Sequence, residues 1–386
     1  MSMKSDICFL CLDAYPLLNK EIDLGYCGGG EKKVVLLGKE LAKRKYGVTF
    51  ITYYETEPRL ENIDAIRVIK SYKSTSKENI LKRSYKIWNC LRNANSNIYI
   101  VSSGFLGPIT LFCRLFRKKY IYWIASDRTV QLKTINEKTS FVEKFYLYLS
   151  LKLSDFVFVQ NTFQKGVIEA KFKKRCVLLK NPLEIPHAEI NTNEKFNCKK
   201  VYWIATVREI KQPHIFLELA KNLPQFQFIL VGGPEYGNRD LFDEIQESAA
   251  GLPNLTLLGF IQPDAIIEYL CGASLLVNTS KAEGFPNTFL EAWASYTPVV
   301  SLNVNPDSVL TKNKIGLCSG SLDRMLEDII DILSDEGRYT DMCRRCREYA
   351  VTEHDVNNIG DAFESALDAM FEANSSLQGN DANHCE

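Results

Sequence analysis

No apolar run in the chain approaches the roughly 20 residues that a membrane-spanning helix requires. A helical transmembrane protein is thereby excluded. Residues 1–6 lead directly into a short apolar run, so no signal peptide is expected. Histidine is scarce, four in 386 residues and none inside a motif, which disfavours zinc centres and His-based hydrolysis. Net charge is zero, with no internal repeat and no low-complexity tract. No nucleic-acid recognition module is visible, so no nucleic-acid partner is expected. The dinucleotide fingerprint G-x-G-x-x-G is missing as well. Cysteine is plentiful but scattered: of twelve, only Cys8/Cys11 and Cys343/Cys346 form C-x-x-C pairs, and no His flanks either. A four-ligand zinc site needs the two pairs to meet. Scattered thiols point instead to a reducing compartment. The expected location is cytoplasmic, at most on the cytoplasmic face of a membrane.

What is present is an α/β pattern that runs twice. A length of 386 residues suits two domains better than one. The charge is divided: residues 1–190 hold 32 Lys+Arg against 18 Asp+Glu, residues 191–386 hold 15 against 29. The halves therefore carry +14 and −14. Either they face different partners, or they attract one another. An apolar run at 7–12, a loop, and glycines at 28–30 open a helix over 31–45 with an apolar stripe at Val34, Val35, Leu37, Leu41 and Ala42. Strands are expected at 48–54, 65–69, 98–102, 120–125, 156–160 and 177–179, with helices at 79–92, 108–116 and 141–153. A polar stretch, 184–199, reads as linker. Strands then resume at 201–206, 226–231, 255–259, 274–277 and 298–302, with helices at 213–223 and 263–270. This predicts two Rossmann-like, doubly wound parallel-sheet domains. Their expected limits are 1–183 and 200–348, followed by a helical segment at 349–372 returning to the first domain and a flexible tail at 373–386.

Three constellations stand at expected strand ends. Gly28, Gly29 and Gly30 precede a helix, where a glycine run lets main-chain N–H groups approach a phosphate; a plain flexible turn reads the same way. Arg208 and Lys211 follow the first strand of the second half, where cations neutralise a diphosphate or simply face solvent. The third is the stretch 280–303, SKAEGFPNTFLEAWASYTPVVSLN. Pro286 and Asn287 start a helix whose first N–H groups, at Asn287, Thr288 and Phe289, can hold an anion. Glu291 lies one turn further on, and a carboxylate there accepts two hydroxyl hydrogen bonds from a ribose or sugar. The plainer readings are a surface acid for Glu291 and a dipole-favoured loop acid for Glu283.

Glu283 to Glu291 resembles the Glu-x7-Glu motif of retaining glycosyltransferases, family 4 in particular. Gly28-Gly29-Gly30-Glu31-Lys32 resembles that family's N-terminal glycine loop. Ser154-Asp155-Phe156-Val157, Asn181-Pro182, Lys211-Gln212-Pro213 and Gly232-Gly233-Pro234 resemble further segments, in order, over residues 7–345. The resemblance implies the GT-B fold, two Rossmann-like domains facing a cleft. It implies that Glu291 holds the donor ribose, Glu283 contacts the donor sugar, and Arg208 and Lys211 stabilise the leaving diphosphate. Backbone amides around Thr288, Phe289 and Leu290, with Gly29 and Gly30, complete a phosphate cradle that Gly233, Phe285 and Asn287 border. No D-x-D occurs, which fits a site without metal or other cofactor. The departures are Thr206 where the family has Arg, with Arg208 as its stand-in, Tyr296 for a glycine, and Asp127 near the position of a family His. Asp127 is the candidate to contact the sugar or take the acceptor proton.

The resemblance makes the basic half the acceptor half. Lys82, Arg83, Lys86 and Arg92 interleave with Leu81, Tyr85 and Trp88, and Arg114, Arg117 and Lys118 with Phe112, Leu115 and Phe116. Such a mixture suits an anionic membrane surface, or merely solvated helix faces. The expected activity is retaining transfer of a hexosyl group from a nucleotide-sugar donor to a glycan or lipid-linked acceptor. The alternatives are a sugar-nucleotide epimerase or hydrolase of the same fold, and a non-catalytic partner subunit.

Overall fold

The computed structural model describes every residue except 1–3, 20–28, 55–56, 103–105, 131–140, 188–189, 236 and 382–386. Gly28 lies outside the described residues. The chain forms two compact units: Met1–Glu21, Gly30–Pro182 and Val356–Glu386 make the first; Ile22–Gly29 and Leu183–Asp355 make the second.

Among the described residues, the first unit is built on eight strands: β1 (Lys4–Leu10), β2 (Tyr46–Thr52), β3 (Leu60–Ile63), β4 (Ile66–Lys70), β5 (Ile98–Val101), β6 (Lys119–Trp123), β7 (Phe156–Val159) and β8 (Cys176–Leu178). Their spatial order is β3-β4-β2-β1-β5-β6-β7-β8. Of these, only β3, paired to β4, is antiparallel. The second unit holds β9 (Lys200–Ile204), β10 (Gln227–Val231), β11 (Leu255–Gly259), β12 (Leu275–Asn278), β13 (Val299–Ser301) and β14 (Gly316–Cys318), ordered β11-β10-β9-β12-β13-β14 and parallel throughout. Central strands such as β5 (IYIV) and β12 (LLVN) are buried along their whole length, as a sheet covered on both faces demands. These are the two Rossmann-like units expected. In each sheet the winding reverses beside the first strand, at β1/β5 and at β9/β12. The carboxyl ends of strands flanking such a reversal open the crevice where doubly wound sheets take ligands.

Several elements differ from the expectation. Edge strands β3 and β14 and the helix Asp240–Ala250 were not expected. Within the stretch read as linker, Thr192–Cys198 is a helix. Asn191 caps it, accepting from the amides of Asn193 and Glu194 at 3.1 and 3.3 Å. Lys195 anchors it by donating to Leu270 O, Ser295 O and Thr297 Oγ1. The expected boundary at 348/349 falls inside the helix Glu336–His354. That helix stays with the second unit because Tyr339, Met342 and Cys343 are buried in its core, and the units part at Asp355/Val356. The helix Val356–Asp381 groups with the first unit. There Phe363 packs 5.7 Å from the Phe158 ring, and Arg44 bridges Glu40, Asp361 and Glu364. This helix runs on through most of the segment expected to be a flexible tail. Once a packed turn exists, adding further turns is far easier than nucleating one.

Candidate active site

The reversal in the second unit sets the end of β9 beside the end of β12, and the loops leaving them are laced together. Thr279, fully buried, donates to Lys211 O at 2.6 Å and Gln212 O at 3.0 Å, and accepts from Trp203 Nε1 at 2.9 Å. Lys281 N donates to Ile210 O at 2.9 Å. Gln212 takes a left-handed conformation (φ 48°), and Pro213 then opens the next helix at its first position. Lys211 is thereby held on a short, constrained turn.

Glu283 arrives from the β12 side. Its Oε2 lies 2.7 Å from Lys211 Nζ, and its Oε1 accepts from Asn278 Nδ2 at 2.8 Å and Ser280 Oγ at 2.7 Å. Asn278 is itself fixed: its Oδ1 accepts from the Ser280 amide at 3.2 Å. Burial by itself pushes the Glu283 carboxyl upward. The Lys211 charge and the hydrogen bonds from Lys211, Ser280 and Asn278 outweigh it and hold the group below its ordinary value. The site thus contains an ionised carboxylate and an ammonium fixed against each other where the crevice opens. Asn278, Thr279 and Ser280 were missed in the sequence. Three polar residues closing an apolar run were the available signal.

Arg208 also follows β9. Its guanidinium stands 3.8 Å from Glu235, and both side chains are partly exposed, so the pair is weak, well under about 1 kcal/mol. Gly232 and Gly233 carry β10 past the end of β9, where Val207 N donates to Gly233 O at 2.9 Å. A Cβ at Gly232 would stand 1.8 Å from Ala205 O, so only glycine fits.

The helix Asn287–Ala294 is pinned by Phe289 and Leu290, both buried, each side chain contributing about 1.5–3 kcal/mol. Phe289 N donates to Pro286 O at 3.2 Å. That amide is therefore engaged within the helix start. Glu291 is 4% exposed on the same helix. Phe285 lies against His354 and Trp293, with ring centroids 5.3 and 6.3 Å away. Asn287 Nδ2 donates to Gly29 O at 2.6 Å, within the segment that groups with the second unit.

Gly30 and Asp127 belong to the first unit. Gly30 sits in the first turn of the helix Gly29–Lys43, facing Ala125. Asp127 follows β6, and its Oδ1 accepts from Asn161 Nδ2 at 3.0 Å and Gln164 Nε2 at 2.8 Å. One carboxylate oxygen is therefore tied to the start of the helix Thr162–Phe172.

Residues 198–335, which contain the β9–β12 crevice, match the family model described as glycosyl transferases group 1. Beside that match, the chain has two parallel-sheet units of the GT-B fold. An uncharacterized glycosyltransferase of Methanocaldococcus jannaschii is 24% identical over 287 residues, covering 66% of this chain and 68% of that protein. Two solved structures share the fold. Sucrose-phosphate synthase from Thermosynechococcus elongatus has a TM-score of 0.79 at 17% identity, covering 96% of this chain and 100% of that one. Anabaena HepE, solved with UDP and glucose, has a TM-score of 0.74 at 15% identity, covering 95% of this chain and 100% of that one.

Proposed function

We propose that the chain is a retaining, metal-independent hexosyltransferase. It takes its sugar from a UDP- or GDP-sugar and passes it to a glycan or lipid-linked acceptor in polysaccharide or glycolipid assembly, on the cytoplasmic side. The observation that carries this reading is the Lys211–Glu283 pair, 2.7 Å apart at the β9–β12 reversal, with the buried Glu291 on the helix that follows Glu283 in the chain. In such a transfer, negative charge builds on the departing diphosphate. A cation already fixed in place, together with helix-start amides at Asn287 and Thr288, lowers the barrier without reorganising. Lys211 and Arg208 take the diphosphate, Glu283 orients the sugar near its reacting carbon, and Glu291 accepts from the ribose hydroxyls. The leaving phosphate then serves as base for attack on the same face of the sugar. The crevice has the same place in the topology as the nucleotide sites of doubly wound sheets, and HepE was solved with UDP.

Calorimetric titration of the whole chain with UDP, GDP, ADP and their sugars tests this. Binding of one nucleotide series, weakened by Lys211→Ala and by Glu291→Ala, is expected. Undiminished sugar transfer in both variants overturns the site assignment.

A further inference from the structure

Three helices of the first unit, Ile80–Ala94, Leu106–Leu115 and Phe141–Leu153, lie side by side over one face of its sheet. Trp88 meets Phe112 at 5.3 Å between ring centroids and Phe116 at 6.0 Å, which joins the first helix to the second. Tyr146 of the third lies close over Gly107 of the second, leaving no room there for a Cβ. The inner faces are spent on the core, through Ile87, Leu91, Ile109, Phe112 and Leu151.

The outer faces are not those of ordinary water-facing helices. Leu81 is 76% exposed, Tyr85 67% and Leu115 67%; Leu111, Phe145 and Tyr148 are exposed too. Leu81 and Tyr85 are one turn apart, as are Leu111 and Leu115, so each pair stands on one stripe. On the first two helices the charges between them are of one sign. Ile80–Ala94 and Leu106–Leu115 contain no Asp or Glu, while Lys82, Arg92 and Arg114 are exposed on them and Arg117 follows directly. Lys86 on the first helix is paired to Glu78, which precedes it, at 2.7 Å.

We propose that this three-helix face docks on the surface of an anionic lipid bilayer. Exposed leucines have no use against a nucleic acid, which offers stacking bases and phosphates. A protein partner of this chemistry would have to be both acidic and apolar across three helices. A bilayer supplies both at once: anionic headgroups for the cations, and acyl chains a few ångströms below for the leucines, with Tyr85 and Tyr148 at the boundary between. The proposal stands on this face alone and does not rest on the transferase reading.

Flotation of the full chain with vesicles of phosphatidylcholine, with and without phosphatidylglycerol, tests it. Binding is expected only to the anionic vesicles and is expected to fall as salt rises. The double variant Leu81→Asp/Leu115→Asp should lose about tenfold or more in partitioning, and so should Lys82→Ala/Arg92→Ala/Arg114→Ala. Because all five side chains are exposed, both variants should melt at the parental temperature. Equal binding to neutral and anionic vesicles overturns the proposal, as does unchanged binding by the Asp variant. Light scattering that shows a dimer dispersed by the Asp variant overturns it too, in favour of a second copy on this face.

Discussion

Glu283 on its own would be a poor place to keep a negative charge, since burial pushes its carboxyl upward; Lys211 reverses the sign. Lys211→Ala removes that reversal. The variant should lose about 10²–10³-fold in kcat, the scale seen when one fixed donor to developing charge is deleted. Its Glu283 should also titrate at a higher pH than in the parent, so the acid limb of a kcat/KM profile should move upward. In the parent, the folded value lies below the unfolded one of about 4.5. Its stabilising share is thus complete above about pH 4.5 and is lost as pH falls through the folded value. Lys33 is the opposite case. It is buried on the first unit's helix Gly29–Lys43, donating to Ile124 O at 3.1 Å and lying 4.4 Å over the Trp123 ring. Burial pulls it down to about 7 despite the nearby Glu31 and Cys11. The unfolded chain keeps that proton up to its ordinary value of 10.5. Between about pH 7 and 10.5 the unfolded state therefore binds more protons, and parental stability should rise with pH. Lys33→Met should flatten that rise, read as melting temperature across the range.

At the scale of elements, glycines divide into those that fit closely and those that do not. Gly232→Ala drives a Cβ into Ala205 O and should destabilise by about 3 kcal/mol or more in urea unfolding. Gly166, inside the helix Thr162–Phe172, has open space for 4 Å around the point a Cβ would occupy, so Gly166→Ala should stabilise by about 0.5–1 kcal/mol. Which elements were legible follows from how they are buried. β5 and β7 are continuous apolar runs, β12 is one up to Asn278, and all three were readable as strands. β3 alternates between exposed and half-buried side chains on an antiparallel edge, and β14 is three residues long; neither leaves a run to find. The helix Thr192–Cys198 was illegible because its anchor, Lys195, is a residue type that normally marks a surface. Glu283 and Glu291 were visible as acids eight positions apart. The lattice of Asn278, Thr279 and Ser280 was not, since polar residues after a strand look like any loop until the neighbouring strand end is known.

At the scale of the whole chain, the first unit is discontinuous. Its last segment begins at Val356 and supplies the buried Phe363, Leu367 and Met370. A chain ending at Asp355 should therefore leave the first unit without part of its core. Expected are aggregation or loss of its cooperative melt by calorimetry, with the melt of the second unit retained. The charge divides by unit in a similar direction, the first unit holding 32 Lys+Arg against 21 Asp+Glu and the second 15 against 26. The basic excess is carried by the unit whose three-helix face is proposed to meet lipid, and the acidic excess by the unit that holds Lys211 and Arg208, the cations proposed to take a diphosphate.

The two ends of the second unit's long segment lie together: Leu183 pairs with Asp355, and Leu183 N donates to His354 O at 2.8 Å. This arrangement orders events during synthesis. Residues 183–355 are complete, with their ends able to close on each other, before the residues that finish the first unit have been made. Domains fold as their chains become available, so the unit encoded second is the one able to reach its native state first. The amino-terminal unit must wait, incomplete, for the return of the chain.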